Sequence, residues 1–204
     1  MAKEGICFFG LGLGLLCLNE GYTIVLLYMG TLQEIAVFQP TFKLFVVSLE
    51  VYQFVVKPLV PRIYLMFLSK QSMPTGRLLS YYLGIVGFIC LAAAFCFYLT
   101  YPVVISAWLH DDTFQWEQIE RAKISIGLAL GLFSITNMII LLGANKHVQL
   151  GLIGVFCALT FVASCFTFVD KVMLSNMVSV LLTSYMVLAC LTFGSLLKLV
   201  REKI

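Results

Sequence analysis

The chain has 204 residues, of which 61% are hydrophobic and 11% charged, and a formal net charge of +3. An ordinary soluble domain carries roughly 45–50% apolar and about 25% charged residues, so this sequence is not built for water. Its basic residues are few and dispersed along the chain, which excludes a nucleic-acid footprint and leaves membrane topology as the meaning of the charge.

In chain order, six apolar stretches approach the roughly 20 residues that a 30 Å hydrocarbon layer demands of a helix. They cover about 5–30, 41–68, 78–108, 124–144, 149–169 and 175–197, with loops too short for a second domain. Every backbone amide in a bilayer must be bonded internally, and the stretches lack the alternating polar positions of a β-barrel. The expected fold is therefore an all-α polytopic transmembrane bundle of about six spans, one domain over 1–204. The first stretch, Lys3 followed by apolar Gly5 to Leu18, imitates a secretory signal. No cleavage site follows, and the run continues through Asn19 and Glu20 to Met29, so it reads as an uncleaved first span. The second is interrupted by Glu50, Lys57, Pro58, Pro61 and Arg62, which leave open whether its latter half crosses or lies at the interface.

Basic residues stay on the cytoplasmic side of a membrane. With six spans and the N-terminus inside, that side holds Lys3, Lys57, Arg62, Lys70, Arg77, Lys146, Lys198, Arg201 and Lys203. The outer side keeps Lys43, Arg121, Lys123 and Lys171, together with the acidic loop of Asp111, Asp112, Glu117 and Glu120. Both termini are thus expected in the cytoplasm; the particular membrane, plasma membrane or endomembrane, is not specified. All seven cysteines lie in apolar runs without a CxxC pair, which argues against disulfides, zinc and the cysteine-paired loops of tetraspanin-like and claudin-like proteins. Gly10 with Gly14 and Gly127 with Gly131 have the spacing of close helix packing, expected within the chain rather than at a dimer face.

Chemistry should sit where the membrane makes polar groups expensive. An ionised side chain near mid-bilayer costs about 2.5–3.5 kcal/mol or more, so it is seldom present without a partner or a task. Glu20 and Glu50 qualify. Glu50 shares a helical stripe with Lys43, Gln53 and Lys57, and two turns, roughly 10 Å, separate it from each lysine, so it must look to another helix, to water or to a proton. One reading makes Glu20, Lys43, Glu50, Gln53, Lys57 and Asn137 a polar pathway for a cation, proton or solute group. The other has each polar group held singly by a neighbouring helix. His110, Asp111 and Asp112 form the one cluster with metal-binding residue types, but with no second histidine nearby a metal site is not expected. No nucleophile elbow, HExxH, Cys/His pair or phosphate loop occurs, so neither catalysis nor a cofactor is expected.

The run from Tyr22 to Val47, YTIVLLYMGTLQEIAVFQPTFKLFVV, resembles the later helices of the organic solute transporter alpha and transmembrane protein 184 family. The matching positions are Tyr22, Val25, Leu26, Tyr28, Glu34, Gln39, Pro40, Lys43 and Val47, with a looser echo at Val104-Ile-Ser106, Trp116 and Ile119-Glu120. Family members have several spans before this motif and a cysteine-rich cytoplasmic stretch, whereas this chain starts almost at the motif and inserts a span over Leu78 to Trp108. The resemblance implies a carrier for amphipathic, anionic organic solutes such as steroid conjugates, with a small single-span partner. The competing expectation is a non-catalytic membrane subunit or assembly factor that packs against a larger complex. A carrier needs several polar groups facing one cavity; a packing subunit needs them bonded singly at interfaces.

Overall fold

The computed structural model describes residues 2–29, 32–58, 65, 75–109, 117–168 and 174–202. Among these the chain is all-α, with helices α1 (Ala2–Met29), α2 (Leu32–Val56), α3 (Thr75–Leu109), α4 (Gln118–Gly143), α5 (His147–Phe168) and α6 (Leu174–Glu202). Five of them, all but α2, contain a described stretch long and apolar enough to cross a membrane. The protein is a multi-pass membrane protein in contact with lipid.

Five helix extents follow the apolar reading; α2 does not. It starts at Leu32 rather than 41 and runs straight through Pro40. A proline inside a helix removes one amide donor and crowds the carbonyl four residues earlier. Here that carbonyl belongs to Ala36, which is exposed and not wedged between helices. The helix ends at Val56, and Lys57 and Pro58 form a turn, because a proline pushes the residue before it out of the α region. Apart from Leu65, the rest of the expected second span, with Pro61 and Arg62, lies outside the described residues, as do His110, Asp111 and Asp112.

The helices alternate in direction. Between α1 and α5, Cys7 meets Gly151, Gly14 meets Gly154 and Gly21 meets Phe161, so residue numbers climb together and the pair is parallel. Between α4 and α6, Gly127 meets Leu181, Gly131 meets Tyr185 and Asn137 meets Thr192, again parallel. The α3–α4 pair is antiparallel: Tyr82 bonds Asn137, while Arg121 lies 4.7 Å from the centre of the Tyr98 ring. So is α2–α3, where Thr41 bonds Tyr101 and Tyr52 reaches Cys90. Odd helices run one way and even helices the other, which brings the start of α1 and the end of α6 to the same end of the bundle.

Helix α4 is the core. Of its most apolar stretch 72% is buried, against 22% for that of α3, and α4 packs on α2, α3, α5 and α6. It ends in a Schellman turn: Asn145 N–H donates to Leu142 O at 3.0 Å and Lys146 N–H to Leu141 O at 3.0 Å. Asn145 takes the left-handed conformation, φ 62°, which asparagine adopts more readily than most residues. That tight turn directs α5 back beside α4.

Alternation is testable on a cysteine-free background. A membrane-impermeant maleimide is expected to label Asn145→Cys and Arg201→Cys from one side and Glu117→Cys only from the other. Labelling of all three from one side would overturn the alternating order. Placing the side of Asn145 and Arg201 in the cytoplasm follows the distribution of basic residues.

Candidate functional site

Helix α2 has two faces of different chemistry. Phe38, Thr41, Phe42, Phe45, Leu49, Tyr52 and Val56 are buried. On the opposite side Lys43, Val47, Glu50, Phe54 and Lys57 are exposed. The spacing 43, 50, 57 returns the same face every two turns, so the polar stripe legible in the sequence is a true stripe, and it faces outward. Gln53 at its edge is half-buried.

Glu50 lies near mid-depth. Its neighbour Leu49 packs against Gly131, at the middle of the 26-residue α4. Two residues on, Tyr52 bonds Thr136 at 2.8 Å and reaches Cys90, near the middle of the 35-residue α3. Neither Glu50 nor Lys43 has a hydrogen-bond or ion-pair partner among the described residues. Lys57 Nζ sits 5.9 Å from the Phe54 ring, a contact along the helix's own surface. Glu20 is likewise exposed, on α1, beside buried Gly21 and Tyr22.

Asn137 is placed differently from the other five candidate residues. It is fully buried in α4, accepts a hydrogen bond from the Tyr82 hydroxyl of α3 and donates to Thr192 Oγ1 of α6 at 3.4 Å. Next to it, Thr136 joins Tyr52 of α2. One layer thus ties four helices together through paired polar groups. Other hydroxyls of the spans mostly bond their own helix: Ser134 to Leu130 O at 2.6 Å, Thr160 to Phe156 O at 2.8 Å and Thr183 to Ser179 O at 2.8 Å. Ser179 also accepts from Lys123 across the α4–α6 interface, at 3.4 Å.

Tyr52 and Tyr82 supply the tyrosine hydroxyls of this layer; Tyr22 and Tyr28 do not. Tyr22 is buried within Phe38, Phe42 and Phe161, Tyr52 is in the polar layer, and Tyr28 is 87% exposed. The signal of Tyr52 and Tyr82 was position: a tyrosine in mid-span, away from the interfacial belts, favours a hydroxyl partner inside the bundle. No group of three or more metal-ligating side chains occurs among the described residues.

The charged face of α2 can therefore attract a complementary charge from outside the bundle, whereas the buried layer fixes helix register. No protein family, curated protein or solved structure matches the chain, so what stands on its own geometry is an all-α, multi-pass membrane protein with an outward-facing charged stripe on α2.

Proposed function

We propose that this protein is a non-catalytic membrane subunit that binds another intramembrane protein through the outward face of α2. The observation that carries this reading is Glu50, exposed near mid-depth with no partner among the described residues. A carboxylate left against lipid there carries the penalty of about 2.5–3.5 kcal/mol or more, and a partner that covers it removes the penalty. The buried polar groups support the same reading, because Asn137, Thr136, Tyr52 and Tyr82 are bonded to one another across helices.

A carrier for amphipathic organic anions is the second reading, supported by the resemblance of residues 22–47 to the organic solute transporter alpha and transmembrane protein 184 family. In that case Lys43 and Lys57 would meet the anionic group, with the aromatic and aliphatic side chains of the same face against the ring system.

Native membranes solubilised in mild detergent are expected to yield the wild-type chain in an assembly larger than its own monomer. Glu50→Leu should shift it to the monomer without a change in its own thermal stability, because the side chain is exposed and has no hydrogen-bond or ion-pair partner among the described residues. Recovery of the wild type only as a monomer removes the subunit reading. Flux of anionic steroid-like solutes into vesicles containing the chain, lost in Lys43→Ala, would install the carrier in its place.

A further inference from the structure

We infer that the surface covering α2 is a transmembrane helix of a different polypeptide, carrying an arginine or lysine at the depth of Glu50. The inference rests on the reading of α2 as a docking face and names the chemistry of what docks there.

The argument begins with reach. Lys43 and Lys57 stand seven residues to either side of Glu50 on the same exposed face, about 10 Å along the axis. The hydrocarbon half-thickness is roughly 15 Å, so a four-carbon lysine stem can bring the Lys43 ammonium to one headgroup region, and Lys57, in the turn that ends α2 with its ammonium over Phe54, stands within about 5 Å of the other. The two-carbon stem of Glu50 reaches neither interface. Only the central charge needs a counter-charge inside the membrane.

Symmetry then excludes a second copy paired through α2 itself, and no other described helix offers a lysine or arginine near mid-depth. All copies of one chain insert the same way, so a two-fold axis relating two of them runs along the membrane normal. Paired through α2, they would set Glu50 against Glu50 and Lys43 against Lys43. Like charges would meet at every polar position of the face. A different helix is free to offer the complement, and guanidinium does so best, because its planar fork bonds a carboxylate through two parallel donors and is more weakly hydrated than ammonium.

The test uses the full chain in phosphatidylcholine vesicles and three synthetic 22-residue poly-leucine helices with Arg, Glu or Leu at the central position. A central substituent lies at mid-depth whichever way the peptide inserts. Energy transfer from a labelled peptide to the labelled protein is expected to show the Arg helix associating about tenfold or more tightly than the Leu helix, as befits a charge-assisted pair. Glu50→Gln should reduce the Arg helix to the Leu level, and Glu50→Lys should transfer the preference to the Glu helix. Unchanged thermal unfolding of both variants keeps loss of fold out of the result. Equal association of all three peptides overturns the inference, and so does efficient disulfide dimerisation of Glu50→Cys in the protein alone. A native assembly that persists in Glu50→Gln beside indifferent peptides sinks this inference and spares the subunit reading. Charge-selective peptide binding by a chain that is monomeric in its own membrane does the reverse.

Discussion

Alanine at Gly14 or Gly154 is expected to destabilise the protein by about 1–3 kcal/mol, the range for forcing extra atoms into a packed interior. The two glycines bring the backbones of α1 and α5 into contact. A Cβ added at Gly14 would fall 2.6 Å from Gly154 Cα, and one at Gly154 would fall 2.6 Å from Leu11 Cα. Neither obstacle is a flexible side chain that can swing aside, so the helices must separate and lose the close approach that small residues exist to permit in lipid. Leucine at either site should prevent the pair from forming. Gly12 and Gly84 are the controls, because a Cβ at either meets nothing within 4 Å; alanine there should leave stability unchanged or slightly raised, given its better helix propensity. Thermal unfolding in detergent, followed through cysteine accessibility, separates the two classes. Equal effects at Gly12 and Gly14 would refute the parallel seam.

Removal of the Asn137 amide is the second large effect. Asn137→Ala strips the acceptor from the Tyr82 hydroxyl in a buried site, and an orphaned buried donor costs about 1–3 kcal/mol. Thr192 loses less, since its hydroxyl also bonds Leu188 O at 2.8 Å. Tyr82→Phe should be milder, and the double variant should show a coupling of about 0.6–1.7 kcal/mol, the span measured for hydrogen bonds between membrane helices. Strictly additive losses would mean that the two side chains do not act as a pair.

Five of the six helices were legible as spans because apolar length alone specifies a membrane helix. The start of α2 was not. Gln33, Glu34, Gln39 and Pro40 read as a loop, yet the structure continues the helix through them. The polar stripe on α2 was legible as a spacing of residues, whereas the side it faces was not. In water a charged stripe marks the outer face; in a bilayer both the interior of the bundle and its lipid surroundings are apolar, so periodicity loses its sign. Asn137 illustrates the same ambiguity from the opposite side: the residues that satisfy it, Tyr82 and Thr192, lie 55 positions away in each direction. Nothing local to any of the three announces the meeting.

The α1–α5 seam also sets an order of events during synthesis. Gly151 follows Gly10 by about 140 residues, which a ribosome adding about 5–20 residues per second covers in roughly 7–28 s. Through that interval the first helix waits in the membrane with its glycine face uncovered, and the fifth helix of a neighbouring nascent chain is as good a mate as its own. Crowded synthesis therefore favours exchanged pairs, in which two chains trade first helices, and slow or dilute expression favours the chain closed upon itself.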